Sequence, residues 1–191
     1  VAVMCGRFTL MTDEEYQDIA DILRQIEQQQ GEPIPRGDIY PTMFSPILFS
    51  ENGPPQVRLL RWGYPGFQGK KPLINARAET AEIKPLFRES LKNGRCVVPS
   101  CGFYEWGREK QRYRFRIREK TGTYMAGLTR IYNGEKRYVI LTTAANESVQ
   151  AIHHRMPVIL RREEIHAWLT DPEQTLAFLL RVPPLLECCA V

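Results

Sequence analysis

The sequence has no long apolar run. The longest, "MPVIL" and "LAFLL", fall far short of the roughly 20 residues that a membrane-spanning helix needs. The first residues also lack the basic, apolar and small-residue regions that mark a secretory signal. These absences argue against a membrane span and a standard secretory leader, so we expect a cytoplasmic protein.

Histidine is scarce, and the cysteines do not form a metal-binding pattern. The chain has three histidines and five cysteines, and no two cysteines follow a CxxC spacing. Cys96 and Cys101 are five positions apart, and Cys188 and Cys189 are adjacent. The pattern is unlike that of a zinc site or a disulfide framework, and we expect no metal and no cofactor.

Strong charge of one sign is also missing. The formal net charge is +4, and no tail is rich in lysine or arginine. A modest positive charge permits an acidic partner without requiring one. If nucleic acid is the partner, we expect a local groove to bind it.

The 191 residues suit one domain, which we predict to span 1–191 with a C-terminal tail at 183–191. Thr12 and Glu15 form a capping-box pattern, and the apolar spacing after them predicts a helix over 13–29. "ETAEIKPLFRESLKNG" predicts a second helix, interrupted at Pro85, with Gly94 at its end. "REEIHAWLT" and "EQTLAFLL" predict two short helices.

Strand patterns fill most of the remaining chain. "SPILFS" and "QVRLLRWGY" flank the turn "ENGPP", and "TYMAGLTRIY" and "RYVILTTAA" flank Asn133-Gly134, so each pair predicts a hairpin. "RCVVPSCGFYEWG", "RYRFRIRE" and "MPVIL" also read as strands. Many antiparallel strands with peripheral helices predict a single α+β domain with a β-rich centre.

Cys5 follows Met4 near the start of the chain. Termini are usually loose, so we expect Cys5 to be exposed. Removal of residues 1–4 would leave a free amine and a thiol on neighbouring carbons. Such a pair can condense with an aldehyde and close a five-membered thiazolidine ring. The alternative is a small buried hydrophobic residue.

Three other segments carry candidate chemistry. Glu105 in "CGFYEWG" is either a desolvated acid with a raised pKa or an edge-strand carboxylate that points to water. Asn75 and Arg77 face the same way if "LINARAET" is extended; a turn asparagine and a surface arginine are the alternative. In a strand, His153 and His154 would point to opposite faces, so one of them could face a cleft and act as an acid or a base. The alternative is a histidine buried in the core.

Together and in this order, the signals resemble one family, the SOS-response-associated peptidase (SRAP) domain of abasic-site processing proteins. The matching segments run from residue 4 to about residue 160, and several are long and uncommon in composition. They are "MCGRF" (4–8), "PT" (41–42), "RWG" (61–63), "NARAET" (75–80), "RCVVPSCGFYEW" (95–106), "AGL" (126–128), "TTAAN" (142–146) and "HHRMPVIL" (153–160).

The resemblance implies an α+β domain with a central antiparallel, barrel-like β core, peripheral helices and a groove for single-stranded DNA. It implies an autoproteolytic peptidase that removes the methionine before Cys5. The freed cysteine then links to the ring-opened aldehyde of an abasic site as a thiazolidine. Its expected partner is single-stranded DNA with abasic sites, and we expect a monomer at the nucleoid of a bacterium.

The resemblance also assigns roles to individual residues. The catalytic set comprises the nucleophile Cys5, the positioning residue Asn75, the proton-transfer residue Glu105 and the ring-opening residue His153. The DNA-binding set comprises two phosphate contacts, Arg77 and Arg155, and four residues that line the groove, Pro41, Phe67, Trp106 and Thr142.

The chain departs from the family pattern twice. "RWGYPGF" stands where "RWGLIPxW" is usual, so Phe67 replaces a groove tryptophan, and Val1-Ala2-Val3 precede Met4. Two other functions stay open at this point. One is a thiol peptidase that cuts other proteins, with Cys5 as nucleophile and His153 as base. The other is a noncatalytic module that binds single-stranded DNA through aromatic and arginine side chains.

Overall fold

The structure is a computed structural model that describes residues 5–10, 16–31, 34, 36–51, 53–119 and 121–191. Its strands, in chain order, are β1 (Phe8–Thr9), β2 (Asp38–Ile39), β3 (Phe44–Phe49), β4 (Gln56–Trp62), β5 (Asn75–Arg77), β6 (Arg95–Ser100), β7 (Phe103–Trp106), β8 (Arg112–Arg116), β9 (Thr123–Tyr132), β10 (Glu135–Ala144), β11 (Arg155–Pro157), β12 (Ile159–Leu160) and β13 (Glu187–Ala190). Its helices are α1 (Gln17–Gln30), α2 (Ala78–Ala81), α3 (Pro85–Asn93), α4 (Ile165–Thr170) and α5 (Thr175–Leu180).

Five strands close into a barrel. β10 pairs with β4, β4 with β3, β3 with β6, β6 with β9, and β9 again with β10. The pairings are antiparallel except that β10 runs parallel to β4. The long β9–β10 hairpin forms at Asn133-Gly134 as predicted, and both turn residues have positive φ. The predicted α+β fold with a barrel-like core is therefore confirmed.

The helices surround this barrel. α1 covers most of the segment predicted as helical and ends at Gly31, whereas Thr12 and Glu15 lie outside the described residues. The second predicted helix is indeed divided, because α2 ends before Pro85 and α3 begins with it. Gly94 follows the end of α3, as predicted.

A second sheet lies beside the barrel, in the order β13, β8, β7, β1, β2. Its central strands carry Phe8, Phe103 and Phe115, which are fully buried. The stretch predicted as a C-terminal tail contributes β13, which pairs with β8 at one edge of this sheet. β1 is therefore held between two strands, because it pairs with both β2 and β7.

A buried carboxylate on α1 forms hydrogen bonds with β9 and with the residues just before it. Asp18 accepts hydrogen bonds from the Tyr124 hydroxyl (2.6 Å), the Thr121 hydroxyl (2.7 Å) and the Gly122 N–H (2.9 Å). Burial alone would raise the pKa of this carboxyl, but its hydrogen bonds outweigh burial and lower it. Asp18 is therefore ionised and fully used as an acceptor near neutral pH.

Candidate active site and nucleic-acid interface

Cys5 and Glu105 are in direct contact. The backbone N–H of Cys5 donates a hydrogen bond to Oε1 of Glu105 over 2.6 Å. Cys5 is fully buried and Glu105 is 3% exposed. The expectation of an exposed Cys5 is wrong, because the residues after it enter the sheet as β1 and draw the cysteine inward.

Glu105 is an interior acid. It lies on β7, which is flanked by β1 and β8, so the edge-strand alternative is also wrong. Burial raises the pKa of Glu105 to about 7, although the hydrogen bond from the Cys5 N–H opposes the rise. This carboxyl can therefore both donate and accept a proton near neutral pH.

Burial also affects the protonation of the Cys5 thiol. Burial, and then the nearby Glu105 carboxylate, raise the pKa of this thiol well above its usual value. The sulfur is therefore protonated at neutral pH. Cys5 also has φ of 45°, a left-handed conformation that is uncommon for a residue with a side chain and that often occurs at functional sites.

A second group of candidate residues lies on the barrel sheet. β5 runs parallel to β10, which sets Asn75 beside Ile140 and Arg77 beside Thr142. Ala76 is buried whereas Arg77 is exposed and Asn75 half-buried, so Asn75 and Arg77 share the outward face as predicted.

Arg155 completes this group from β11. Its Nη2 donates to the carbonyl oxygen of Thr142 (2.7 Å) and, at 3.3 Å, to the Thr142 hydroxyl. Both terminal nitrogens also donate to the Glu79 carboxylate, with Nη2 at 2.9 Å from Oε2. Arg155 is therefore held in place on the surface, and the buried Thr142 lies beneath it. A phosphate that approached Arg155 would compete with Glu79.

His153 sits just before β11 and does not behave as a strand residue. Its ring stacks on that of His154, with the centroids 4.5 Å apart, so the prediction that the two point to opposite faces is wrong. The reason is that residues 153–154 lie in the connection before the strand, where alternation does not apply. Desolvation lowers the pKa of His153, which favours the neutral imidazole at neutral pH. Nδ1 of His153 lies 3.1 Å from the Arg155 amide nitrogen and 3.2 Å from its carbonyl oxygen.

Trp62 connects the two groups through the core. Its ring lies between Phe8 on β1 and Tyr138 on β10, at centroid distances of 5.3 Å and 6.2 Å. Its Nε1 donates to the carbonyl oxygen of Ile74, the residue before Asn75 (3.0 Å). One buried tryptophan thus contacts both the strand that follows Cys5 and the residue that precedes Asn75.

The remaining predicted groove residues are less closely grouped. Trp106 is 37% exposed beside Glu105, and Pro41 is half-buried in the turn after β2. The backbone of Phe67 lies in a short 3-10 turn, and its side chain falls outside what the structure describes.

Two functional candidates were missed from the sequence, although both lie inside the quoted motifs. Arg7 of "MCGRF" sits over the rings of Tyr40 and Trp106, at 4.5 Å and 5.1 Å from their centroids. Glu79 of "NARAET" pairs with Arg155. Their position in the motifs was a signal, but their partners are distant in sequence and emerge only in the fold.

Across the described part of the chain, no group of three or more His, Cys, Asp or Glu side chains is arranged to hold a metal ion. Within the same residues, every helix is too short or too polar to cross a bilayer.

Known proteins resemble this chain over most of its length. The family model for SOS response associated peptidase (SRAP) matches residues 4–191. The abasic site processing protein YoqW of Bacillus subtilis is 36% identical over 192 residues, covering 89% of this chain and 84% of the relative. The abasic site processing protein YedK of Escherichia coli is 33% identical over 178 residues, covering 87% and 79%.

A solved structure shares the fold. The crystal structure of a Bacteroides thetaiotaomicron protein superposes with a TM-score of 0.77 at 27% identity, covering 98% of this chain and 92% of that protein. The range that the family model matches covers Cys5, Glu105, Asn75 and Arg155. This chain therefore belongs to the SOS response associated peptidase (SRAP) family.

Proposed function

We propose that the protein processes abasic sites in single-stranded DNA by a covalent link to Cys5, after it has cleaved its own Met4–Cys5 bond. The observation that carries the proposal is the 2.6 Å hydrogen bond from the Cys5 nitrogen to buried Glu105. Relatives named abasic site processing proteins support the abasic site as the substrate.

The Cys5 nitrogen is the leaving group in the first step. Hydrolysis adds one water to the Met4–Cys5 bond and leaves a carboxylate on Met4 and an α-amino group on Cys5 in its ammonium form. Glu105 contacts the nitrogen that must gain a proton as the C–N bond breaks. Because burial raises its pKa to about 7, a useful fraction of Glu105 still holds that proton at neutral pH.

The same contact serves the second step. Once freed, the Cys5 nitrogen is an α-amine with an ordinary pKa of about 7.7–8.0. Ionised Glu105 can take the proton of the ammonium form, which leaves the neutral amine that attacks an aldehyde. The carboxyl therefore acts first as an acid and then as a base at one atom.

His153 is assigned to the sugar. An abasic deoxyribose opens when the C1′ hydroxyl loses its proton, the C1′–O4′ bond breaks and O4′ gains a proton. A neutral imidazole can accept the first proton and return it to O4′, so no net proton is consumed. The lowered pKa of His153 favours that neutral form.

Ring closure on Cys5 completes the link. The amine adds to the aldehyde carbon and water leaves, which gives an imine. The thiol then adds across the C=N bond: sulfur bonds to carbon, and nitrogen gains a proton. The net change is the loss of one water, and the product is a thiazolidine. Because burial keeps this thiol protonated, it carries the proton that the nitrogen gains, and the sulfur attacks as that proton leaves it.

The DNA strand is assigned to the barrel face. Arg77 and Arg155 contact phosphates, and Asn75 orients the sugar between them and Cys5. Pro41, Trp106, Phe67 and Thr142 line the groove, with Thr142 acting through Arg155. Glu79 shares the Arg155 fork until a phosphate displaces it.

Cysteine variants test the proposal. Cys5→Ala and Cys5→Ser should each abolish the heat-stable adduct with an abasic-site oligonucleotide, while binding to the single strand survives. Alanine lacks the thiol, and the serine hydroxyl is a far weaker nucleophile near neutral pH. Denaturing gels measure the adduct and fluorescence anisotropy the binding.

Cys188→Ser is the matched control, because Cys188 is exposed on β13. It should form the adduct like the wild type. A heat-stable adduct from either Cys5 variant would contradict the thiazolidine.

A further inference from the structure

Exposed aromatic rings are concentrated in one place. Among the described side chains, Tyr40, Phe44 and Trp106 are the exposed aromatic residues, at 41%, 47% and 37%. Met43, between the first two, is 37% exposed. We call Tyr40, Met43, Phe44 and Trp106 the aromatic strip.

Contacts link one end of the strip to the other. Arg7 lies over both Trp106 and Tyr40, and its Cζ is 5.1 Å and 4.5 Å from their ring centroids. The Met43 N–H donates to the Tyr40 carbonyl oxygen (3.1 Å), which folds the chain back toward Phe44. Arg7 therefore joins the rings of Trp106 and Tyr40, and Met43 also contacts Tyr40 through its sulfur, which lies 3.4 Å from the Tyr40 nitrogen.

The pairing of β1 with its neighbours buries the residues next to Arg7 and Tyr40. Phe8 is paired with Ile39 and with Phe103, and all three are buried. Arg7 precedes Phe8 and Tyr40 follows Ile39, and the Arg7 guanidinium lies over the Tyr40 ring. The two side chains therefore meet at the surface, where Tyr40 is 41% exposed.

Positive charge continues to the far end of the strip. Arg61 lies over the Phe44 ring, with its Cζ 4.4 Å from the centroid. Arg61 shares the carboxylate of Glu135 with Arg137, so two guanidinium groups face one acid. At the end near Cys5, Arg7 forms an ion pair with Asp38, with Nη1 lying 3.5 Å from Oδ2.

The strip begins at the candidate active site. Arg7 is two residues after Cys5, and Trp106 directly follows Glu105. From there it crosses the turn of residues 40–43 to the first residue of β3. A strand of DNA that reached Cys5 with its abasic sugar would bring neighbouring nucleotides toward these rings.

We propose that the aromatic strip is a stacking track for the bases next to the abasic site, with Tyr40 and Phe44 each stacking on a base. This inference rests on the proposed function and deepens it. Aromatic faces stack on any base, and arginines contact the phosphates between them, so such a track binds single strands without regard to sequence. Continuity with Cys5 and the excess of guanidinium groups favour DNA over a protein partner.

The test distinguishes contacts with the bases from contacts with the sugar–phosphate backbone. Wild type, Tyr40→Leu and Phe44→Leu are titrated with two labelled oligonucleotides of equal length. One carries ordinary bases, and in the other tetrahydrofuran residues, which lack a base, replace the nucleotides. Leucine keeps apolar bulk but removes the aromatic face. Each leucine variant should bind the ordinary strand at least about fivefold more weakly than the wild type, and the base-free strand equally well.

Three controls accompany these variants. Tyr40→Phe and Phe44→Tyr keep the ring and should bind like the wild type. Leu180→Ala removes an apolar side chain that is 79% exposed on α5, and it should have no effect on binding. Thermal denaturation checks that each variant is folded. We expect all of them to fold, because Tyr40 and Phe44 are exposed.

The outcomes distinguish this inference from the proposed function. A wild type that neither binds single strands nor forms the adduct would remove the proposed function. A wild type that does both, with leucine variants of unchanged affinity, would overturn the stacking track and favour a protein partner for the strip. Equal losses on both oligonucleotides would also overturn it, because the rings would then not act through bases.

Discussion

Replacing Glu105 with glutamine should change how the free energy of unfolding depends on pH. Burial raises the pKa of Glu105 from 4.5 to about 7, so ionising this group costs the folded protein stability. One pKa unit corresponds to about 1.4 kcal/mol, which gives a cost of about 3 kcal/mol. As pH rises, Glu105 stays protonated to a higher pH in the folded state than in the unfolded state. The cost is therefore absent below the ordinary pKa, grows as pH rises toward 7, and is constant above it.

Urea unfolding of the wild type and Glu105→Gln between pH 4 and pH 8 measures this term. Contributions of other groups cancel in the difference between the two proteins. The glutamine variant should gain about 3 kcal/mol relative to the wild type across that range. Glutamine keeps an oxygen that can accept the hydrogen bond from the Cys5 N–H, so this bond is preserved.

The wild type and the Glu105→Gln variant must begin at the same residue in this comparison, and their intact masses establish where each begins. In protein that has lost residues 1–4, an ammonium group would lie beside Glu105, lower its pKa and shrink the gain. A stability difference that stays constant from pH 4 to pH 8 in unprocessed protein would refute the assignment of Glu105 as an interior acid.

Three further predictions address binding, catalysis and stability. Arg77→Ala should lower the slope of log affinity against log salt by roughly 0.7 for single strands of any sequence, and an unchanged slope would make Arg77 structural. His153→Ala should lose Met4 like the wild type but form the adduct about 100-fold more slowly; retention of Met4, by N-terminal mass, would refute this role. Asp18→Asn should destabilise the fold by about 2–4 kcal/mol at pH 7 in urea unfolding. Because the folded-state pKa of Asp18 is lowered, this loss should shrink as pH falls below about 4, and a pH-independent loss would exclude the ionised clamp.

Local patterns in the sequence predicted most of the elements. Asn133-Gly134 specifies a tight turn by its conformational preference, and the hairpin forms there. Pro85 interrupts a helical pattern because it lacks an N–H, and the chain divides into α2 and α3 at that point. Such signals lie within a few residues of the feature they predict.

The arrangement of those elements could not be predicted in the same way. Closure of the barrel through β4 and β10 joins strands about 75 residues apart, in a parallel pairing that neither strand encodes locally. The pairing of Glu79 with Arg155 spans a similar separation.

The candidate site shows the same division. The sequence left two alternatives for Glu105, a desolvated acid with a raised pKa or a solvent-facing carboxylate, and burial raises its pKa. Burial of Cys5 was missed, because it depends on β1 lying between two strands from elsewhere in the chain. The stacking of His153 on His154 was missed because alternation was applied outside a strand.

The mass of the adduct tests the central claim most directly. Wild-type protein is incubated with a single-stranded oligonucleotide that carries one abasic site, and the product is analysed by intact mass and peptide mapping. We expect a species equal to the protein from Cys5 onward plus the oligonucleotide minus one water, with the modification on Cys5 and stable to heat. An adduct on any other residue, or one that still carries Met4, would contradict the account.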